Sequence, residues 1–378
     1  MNDITELWSP LVILLAAFMI GWAAEAAQTF IPRAFALSIL AWLQTLPEFA
    51  VEANIAWNQK TDLMIANLTG SLRILVGLGW PMIFFVYFFS QGIKRKQWPK
   101  EIVLSDGDFA APFFLFISVV YFLVILYLKR LSCWDSVVLT AIYCWYLWFC
   151  LKASSTEDED HEDMPWIVKK ILALPQNGKM FAVVTIFAAG GVFLYFSVDP
   201  FLHTLEKWAL GFGVSTFVFV QWVAPFLSEF PEKVTAFNWA RQTKKAPLAV
   251  MNMVSSNINQ WTMLAAMIPI VYSLSAGEWK VVEFDSLHES ELALTIAQSF
   301  LAGILLLDLK FSLFEALLIF VLWFVQFIFS ATREPITIIY VIWSVIEIGK
   351  VLFIYFQERK LPRVVSVWYR WRTTGHVS

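Results

Sequence analysis

The sequence predicts an all-α protein that crosses a membrane about eleven times, because apolar runs long enough to span a bilayer recur along the whole chain. Of its 378 residues, 59% are hydrophobic and only 15% are charged, whereas soluble domains carry about 45–50% apolar and about 25% charged residues. The mean hydropathy is +0.66. So much apolar surface cannot be buried in one soluble core, and this composition also excludes a disordered, collagen-like or coiled-coil protein.

The charge, the cysteines and the N-terminus narrow the class of protein further. The net charge of -3 gives no reason to expect a nucleic-acid partner. Cys133, Cys144 and Cys150 make neither a disulfide framework nor a zinc site, and we expect no cofactor. Residues 1–7 contain no Lys or Arg, so the positive region of a cleaved signal peptide is missing. We therefore interpret the first apolar run as a retained transmembrane helix.

Eleven apolar runs match the length of a membrane-spanning helix, which needs about 20 residues to cross about 30 Å of hydrocarbon. The ninth is short, and the second and seventh contain acids and prolines. The predicted spans are 8–27, 33–57, 63–90, 109–128, 132–152, 179–198, 205–231, 247–274, 292–307, 311–330 and 336–357.

The distribution of Lys and Arg predicts the orientation of these spans, because cytoplasmic loops carry an excess of positive side chains. With the N-terminus outside, 18 of the 27 Lys and Arg residues fall in inside loops and 6 in outside loops. We therefore predict an integral, multi-pass membrane protein with its N-terminus outside and its C-terminus in the cytoplasm.

Residues 153–178 form the clear break in composition, with an acidic stretch from Glu157 to Asp163. Two readings stay open: a solvated cytoplasmic hinge between two halves, or a low-affinity sensor of divalent ions, since clustered carboxylates suit hard cations. No EF-hand spacing is present. The predicted organisation is a first transmembrane half (1–152), the linker (153–178), a second half (179–331), an extra helix (332–358) and a basic tail (359–378).

The two halves repeat each other. The fifth predicted span opens with SCWD at 132–135 and the tenth with SLFE at 312–315, each in the Ser-x-x-acid pattern of a helix capping box. Deeper in the membrane, LPEF at 46–49 corresponds to LSEF at 227–230. Five spans per half is an odd number, so the second copy enters from the opposite side. The sequence thus predicts an inverted repeat of five plus five helices with one extra C-terminal helix, an arrangement typical of secondary transporters.

Two glutamates lie inside the second span, one lies near the C-terminal end of the seventh, and another directly follows the seventh. Glu48 and Glu52 share one helix face, because they are four residues apart. Glu229 and Glu232 hold the matching place in the second half. A carboxylate at the bilayer centre costs about 2.5–3.5 kcal/mol, and a bound cation or a proton taken up by the acid offsets that cost. The sequence therefore predicts a mid-membrane cation site, with Glu48 and Glu229 as its metal ligands.

The neighbours of these glutamates offer further oxygen ligands. Pro47 and Pro225 break the helical hydrogen-bond ladder and free backbone carbonyls, which is tolerated at membrane depth only where the backbone lines a cavity or is buried in protein. Together with the hydroxyls of Thr45 and Ser228, these carbonyls make an all-oxygen set suited to Na⁺ or Ca²⁺.

The third and eighth spans supply the opposite wall of this site. Asn67 and Ser71 lie in the third span, and Ser256 and Asn257 lie in the eighth. Side chains of this type coordinate cations or hydrogen-bond across helices, and both readings stay open.

These paired segments resemble the alpha repeats of the cation/calcium exchanger superfamily, the sodium/calcium antiporters. The repeats of that superfamily read roughly G-T-S-L-P-E followed by G-N-x-x-G-S-N. The first motif region, about 40–80, contains QTLPE at 44–48 and ANLTGS at 66–71. The second, about 221–262, keeps the glutamate of LSEF but has Ser for Pro, and it contains MNMVSSN at 251–257.

Two further stretches, GLGWP at 77–81 and NQW at 259–261, are similar to a divergent bacterial branch of sodium/calcium antiporters. The resemblance thus implies a bacterial inner membrane. It also implies that Glu48 and Glu229 are the central cation-coordinating carboxylates. Thr45, Ser71 and Ser256 would match hydroxyl ligands of flanking sodium sites.

Three residues depart from the family pattern around this site. The Asn or Asp that the family has four residues beyond the Ser of each motif aligns here with Leu75 and Gln260. The change to Leu75 removes a ligand, and the change to Gln260 removes a negative charge. Arg73 enters the third span, and we expect its guanidinium either to occupy one cation position or to pair with Glu52. Arg73 and Gln260 are therefore predicted to modulate the site.

The leading hypothesis is a secondary active cation antiporter, in which Ca²⁺ or a related cation and the driving Na⁺ or H⁺ bind in turn at Glu48 and Glu229. An enzyme is disfavoured, because all four histidines lie in loops or in the tail and no HExxH run is present. The alternative is a degenerate transporter fold that acts as a cation sensor or scaffold, suggested by Leu75 and Arg73.

The expected partners are inorganic cations and membrane lipid. The tail (359–378) is basic and aromatic, so it is either a segment that lies on anionic cytoplasmic lipid or an ordinary stop-transfer flank. The sequence leaves open which cation is transported, which ion drives transport, the stoichiometry and the oligomeric state.

Overall fold

The computed structural model of the chain describes residues 4–27, 42–152 and 164–374. This part of the chain is almost entirely helical, with two short strand pairs. The first residues of the second predicted span and the acidic stretch of the linker lie outside the described residues.

The described helices of the first half lie on the predicted apolar runs. A π-helical segment (Leu75–Gly79) joins the third of them to the fourth without a break, and a short 3-10 turn (Asp106–Phe109) leads into the fifth. These helices are α1 (Ile4–Ala27), α2 (Leu46–Trp57), α3 (Thr61–Ile74), α4 (Trp80–Arg95), α5 (Ala110–Leu128) and α6 (Cys133–Lys152).

The described helices after the linker include a second pair joined by a π-helical segment (Gln260–Leu264). The last described helix is short and belongs to the basic tail. These helices are α7 (Trp166–Leu172), α8 (Gln176–Phe212), α9 (Thr216–Ser228), α10 (Phe230–Ala240), α11 (Ala246–Asn259), α12 (Ala265–Ala276), α13 (Ser286–Leu305), α14 (Leu313–Ile328), α15 (Arg333–Glu358) and α16 (Arg363–Thr374).

The boundary predicted between the sixth and seventh spans is wrong. Helix α8 runs through 199–204 without ending, and the next helix begins only at Thr216. At about 1.5 Å per residue, a helix of 37 residues is much longer than the hydrocarbon layer. Its polar residues Asp199 and His203 lie one turn apart on an exposed surface, so they do not interrupt the helix.

Seven helical stretches of the described chain are long and apolar enough to cross a membrane. Helices α9 and α14 are apolar but shorter. The second and seventh predicted spans are each divided, at Thr45 and at Glu229, which shortens their helical parts. A nearly all-helical, multi-pass membrane protein is therefore confirmed, while the count of eleven spans stays a prediction.

Two antiparallel strand pairs join the two halves. Strand β1 (Glu101–Val103) pairs with β4 (Lys310–Ser312), and β2 (Arg130–Leu131) pairs with β3 (Val282–Glu283). Each pair takes one strand from each half of the chain.

Both predicted Ser-x-x-acid motifs stand at helix starts. Ser312 and Glu315 form a complete capping box at the start of α14. At the start of α6, the backbone N–H and the hydroxyl of Ser132 both donate to the carboxylate of Asp135, at 2.8 and 2.6 Å. These contacts satisfy backbone donors that a helix end leaves free.

The centre of the fold consists of α3 and α11, the two helices that carry the polar motifs. Every residue of 63–77 and of 249–262 is buried, polar side chains included. Helix α3 also crosses α9 closely at Gly70, where a Cβ atom would lie 1.8 Å from the carbonyl oxygen of Gln221. Because α3 and α11 are enclosed by other helices, their polar side chains face protein rather than lipid.

Candidate cation site

The candidate site lies where two helices are interrupted. Thr45 stands in a turn before α2, which places Glu48 in the first turn of that helix. Glu229 is the single residue between α9 and α10. Pro47 and Pro231 occupy the first turns, where the missing proline N–H costs nothing. The free N–H groups and positive dipole of a helix N-terminus favour carboxylates, so both breaks suit their glutamates.

One side chain bridges the two central glutamates. The Nε2 amide of Gln260 donates to Oε2 of Glu48 at 2.7 Å and to Oε1 of Glu229 at 2.8 Å. The hydroxyl of Ser71 also donates to Glu229 Oε1. Both glutamates are 0% exposed. Residues that are 181 positions apart in sequence thus meet in one buried site, as the duplicated motif predicts.

The two outer glutamates flank this pair. Asn67 donates to Glu52 Oε2 at 2.6 Å. Ser256 donates to Glu232, and Asn252 approaches the same oxygen at 3.4 Å. Each outer glutamate therefore accepts a hydrogen bond from the central helix of its own half, Glu52 from α3 and Glu232 from α11.

Many oxygens of this cluster have no hydrogen-bond donor, although they are buried. A buried acceptor without a partner costs about 1–3 kcal/mol, so several in one place need a physical reason. Among the described residues, the buried oxygens of the site without a hydrogen-bond partner are Glu48 Oε1, Glu52 Oε1, Glu232 Oε2, Asn67 Oδ1, Asn252 Oδ1, Asn257 Oδ1, Asn259 Oδ1 and Gln260 Oε1.

This donor set fits a hard cation. Carboxylate and amide oxygens are the ligands that Ca²⁺ takes in proteins, at about 2.3–2.6 Å, and no sulfur or imidazole of a described residue makes a hydrogen bond to these carboxylates. A bound cation takes six to eight oxygens and therefore satisfies many unpaired acceptors at once. The arrangement can therefore bind and release a cation inside the membrane.

The sequence profile of the family described as "Sodium/calcium exchanger protein" matches residues 7–152 and 182–332. The two matched segments contain both helix breaks and all four glutamates. The chain belongs to the sodium/calcium exchanger family. It is therefore a membrane transporter and not an enzyme, and the family predicted from the paired motifs is confirmed.

Solved structures agree with this family assignment. The chain is 32% identical to the H⁺/Ca²⁺ exchanger CAX, with a TM-score of 0.85 over 97% of this chain and 90% of that chain. It is 18% identical to the sodium-calcium exchanger NCX_Mj, with a TM-score of 0.57 over 86% and 98%. For native YfkE the identity is 17% and the TM-score 0.62, over 90% and 92%. The last two show the fold alone. No curated protein sequence matches the chain.

Arg73 of this exchanger neither reaches the central pair nor pairs with Glu52, so both expectations for it are corrected. Its guanidinium donates to Glu291 at 2.6 Å and to Gln326 at 2.9 Å, and it lies 5.0 Å from the ring centroid of Trp222. The physical reason is the helical period. Arg73 comes two residues after Ser71 in α3, so its side chain points to the other side of the helix.

Three other predicted ligands have hydrogen-bond partners other than the glutamates. The hydroxyl of Ser228 donates to the carbonyl of Ala224 in its own helix, at 3.0 Å, and among the described residues it makes no hydrogen bond to the glutamates. Thr45 donates to the carbonyl of Trp42 and accepts a hydrogen bond from Asn259. The amide nitrogen of Asn257 donates to the carbonyl of Leu72 at 3.4 Å, which leaves its oxygen free.

Sequence reasoning missed Lys233. Its Nζ lies 2.5 Å from Oε2 of Glu229, and both side chains are buried. The available signal was the helical register: Lys233 follows Glu229 by four residues, as Glu52 follows Glu48. A base one turn from an acid is a common helix pair, and here that pair lies inside the site.

Proposed function

We propose that this exchanger is a secondary active antiporter that moves Ca²⁺ against H⁺, with both ions binding at Glu48 and Glu229. The observation that carries the proposal is the convergence of two buried carboxylates on one amide, surrounded by oxygens without donors. A purely structural role for these groups gains nothing from unpaired acceptors. A transported cation gives them a function.

The chemistry of the oxygens supports a divalent, hard cation. Four carboxylates lie in the cluster and a single ammonium pairs with one of them, so the site has an excess of acidic groups. Ca²⁺ accepts six to eight oxygens in flexible geometry, which suits carboxylates and amides carried by separate helices. The 32% identity to a protein named as an H⁺/Ca²⁺ exchanger points the same way.

Protons are the favoured driving ions. A carboxylate that releases Ca²⁺ inside the membrane avoids the cost of an unpaired buried charge by taking up a proton. The hydroxyls that the family resemblance assigns to sodium sites are engaged here: Thr45 with Trp42 and Asn259, and Ser71 with Glu229. Sodium remains the second candidate, and the experiment below distinguishes the two.

Alternating access around this site follows from an inverted repeat of five plus five helices. Three correspondences support that arrangement: the helix breaks beside Glu48 and Glu229, strand pairs that each join the two halves, and two π-helical segments. The π-helices begin at Leu75 and Gln260, each eight residues after the motif asparagine of its half. Rocking of one half against the other would expose the site to each side in turn.

The test is Ca²⁺ uptake by proteoliposomes that contain the purified full-length protein, with the membrane potential clamped. We expect an outward H⁺ gradient to drive Ca²⁺ accumulation and a Na⁺ gradient at constant pH to drive none. Uptake driven by Na⁺ alone would assign sodium as the coupling ion instead.

Two further outcomes would overturn the proposal. Intact Ca²⁺ exchange in both Glu48→Gln and Glu229→Gln would exclude the paired glutamates as the binding site. Binding of Ca²⁺ without flux under either gradient would favour the cation sensor or scaffold. Glu101→Gln is the matched control, because Glu101 makes its ion pair with Lys310 on the exposed surface.

A further inference from the structure

Glu229 differs from the other glutamates of the site because its oxygens are all engaged. Oε1 accepts hydrogen bonds from Ser71 and Gln260, and Oε2 lies 2.5 Å from the ammonium of Lys233. Glu48, Glu52 and Glu232 each keep one oxygen without a partner. Three of the about four lone-pair sites of Glu229 are therefore taken. The remaining one lies on Oε2 beside the ammonium, whose positive charge repels a cation there as long as it stays in place.

The ammonium is the donor best placed to leave. Ser71 lies in α3 and Gln260 begins the π-helical segment that continues α11, and both residues lie in the buried centre of the fold. Gln260 also donates a hydrogen bond to Glu48. Lys233 carries a flexible four-carbon stem with freely rotating N–H donors. It lies on α10, one turn from the helix break at Glu229, so its head group moves without rearranging the pair of central helices.

The two halves of the chain differ at this register position. Four residues after the central glutamate, the first half has Glu52 and the second half has Lys233. The first half thus places a second carboxyl group one turn from its glutamate, and the second half places an ammonium that touches its glutamate. The duplicated site is therefore electrostatically asymmetric.

We propose that Lys233 is a tethered cation that holds the place of the substrate at Glu229 and withdraws when Ca²⁺ binds between Glu48 and Glu229. The inference rests on the proposed function and adds a residue that sets cation affinity. When Ca²⁺ leaves, the returning ammonium stabilises the ionised Glu229 until a driving proton binds there. When Ca²⁺ arrives, it displaces a like charge, which weakens its binding.

The test is equilibrium binding of Ca²⁺ to the purified full-length protein. Lys233→Met, which keeps the length of the side chain and removes the charge, should lower the Kd for Ca²⁺ by at least about tenfold, because a competing like charge is gone. Lys233→Arg keeps the charge and should leave the Kd at or above the wild-type value. Lys60→Met is the matched control, since Lys60 forms an ion pair with Glu206 outside the site, and its Kd should not change.

A second readout separates a tethered cation from a merely structural lysine. In Lys233→Ala, added n-propylammonium supplies the atoms that the substitution removes. We expect it to raise the Kd for Ca²⁺ in that variant and to leave the wild-type Kd unchanged. A structural contact would not give this competition.

The inference is overturned if folded Lys233→Met binds Ca²⁺ with the wild-type Kd or more weakly. If the neutral variants do not fold, a lowered Kd in Lys233→Arg overturns it instead. Wild-type flux of Ca²⁺ alongside an unchanged Kd in the variants contradicts only the role of Lys233. Absence of Ca²⁺ binding to the wild type and to every variant contradicts the proposed function, and this inference with it.

Discussion

Two buried groups of charged side chains lie on different sides of α3, which contacts one through Ser71 and the other through Arg73. The acids of the two groups differ in how fully they are paired. In the arginine cluster (Arg73, Glu291 and Arg333), Glu291 accepts from both guanidiniums and from the amide of Gln221. In the glutamate cluster (Glu48, Glu52, Glu229 and Glu232), three of the four acids keep an oxygen with no donor.

The difference separates structural acids from functional ones. Burial alone does not distinguish the clusters, because Glu291 is buried as are the four glutamates. The distinction is the balance of partners in each cluster. Glu291 is matched by two guanidiniums, whereas the four glutamates share one ammonium and leave several oxygens unpaired, so the glutamate cluster is the one suited to a mobile ion. The arginine cluster also ties α15 to α13 and α3 through Arg333 and Arg73.

The largest expected effect is the loss of transport when either central glutamate is neutralised. Glu48→Gln and Glu229→Gln should each lower Ca²⁺ flux by a factor on the order of a hundred or more, since losing one partner of a buried charge contact costs about 2–5 kcal/mol and each 1.4 kcal/mol is tenfold. Thermal unfolding in detergent should show Glu48→Gln to be at least as stable as the wild type, because a buried charge is removed. A strongly destabilised Glu48→Gln would contradict the comparison.

The opposite pattern is expected for the arginine cluster. Glu291→Gln should destabilise the fold by about 3–5 kcal/mol, because it leaves Arg73 and Arg333 without their buried acid. Thermal unfolding of the purified variant measures the loss. A triple variant with Arg73→Met, Glu291→Leu and Arg333→Met should regain most of the stability, since apolar replacements of buried ion clusters are often neutral. Wild-type stability with lost flux in Glu291→Gln would assign Glu291 to the site.

A smaller effect is expected at the glycine of α3 that lies between the clusters. Gly70→Ala places a Cβ atom against the backbone of α9, so α9 must move, at a cost of about 1–3 kcal/mol. Gly191→Ala is the control in α8, where nothing lies within 4 Å of the added atom. That variant should be neutral or more stable by up to about 1 kcal/mol, the difference in helix propensity. Equal stabilities of the two variants would refute the close crossing.

The smallest effect is expected at Ser228. Its hydroxyl donates to its own helix, so Ser228→Ala should leave the Kd for Ca²⁺ within about twofold. Ser71→Ala removes a donor to Glu229 and should change that Kd by about tenfold, the worth of a hydrogen bond to a charged group. Equilibrium Ca²⁺ binding to the two variants gives the comparison, and equal effects would place Ser228 in the site.

The membrane class, the paired breaks and the central acids could be predicted from sequence, because each depends on local rules. Apolar length predicts a span. Glutamates at matched places, each with prolines nearby, predict a break that holds an acid. Glu48, Glu52, Glu229 and Glu232 accordingly lie in one buried cluster.

The partners of the charges could not be predicted, because they depend on which face of a helix meets which neighbour. Arg73 was expected near Glu52, but its partner Glu291 comes from a helix 218 residues away in sequence. Gln260 was expected to modulate the site by the loss of a charge, but its bridge between both central glutamates was not foreseen. Lys233 lies two residues beyond the predicted seventh span, and the division of the helix at Glu229 places it in the site.

The most direct test of the central claim is long-wavelength anomalous diffraction from crystals of the full-length protein grown with Ca²⁺. The account predicts a calcium peak about 2.3–2.6 Å from carboxylate oxygens of both Glu48 and Glu229, and no such peak in Glu48→Gln. A calcium ion that contacts neither glutamate, or one that binds unchanged in Glu48→Gln, would contradict it.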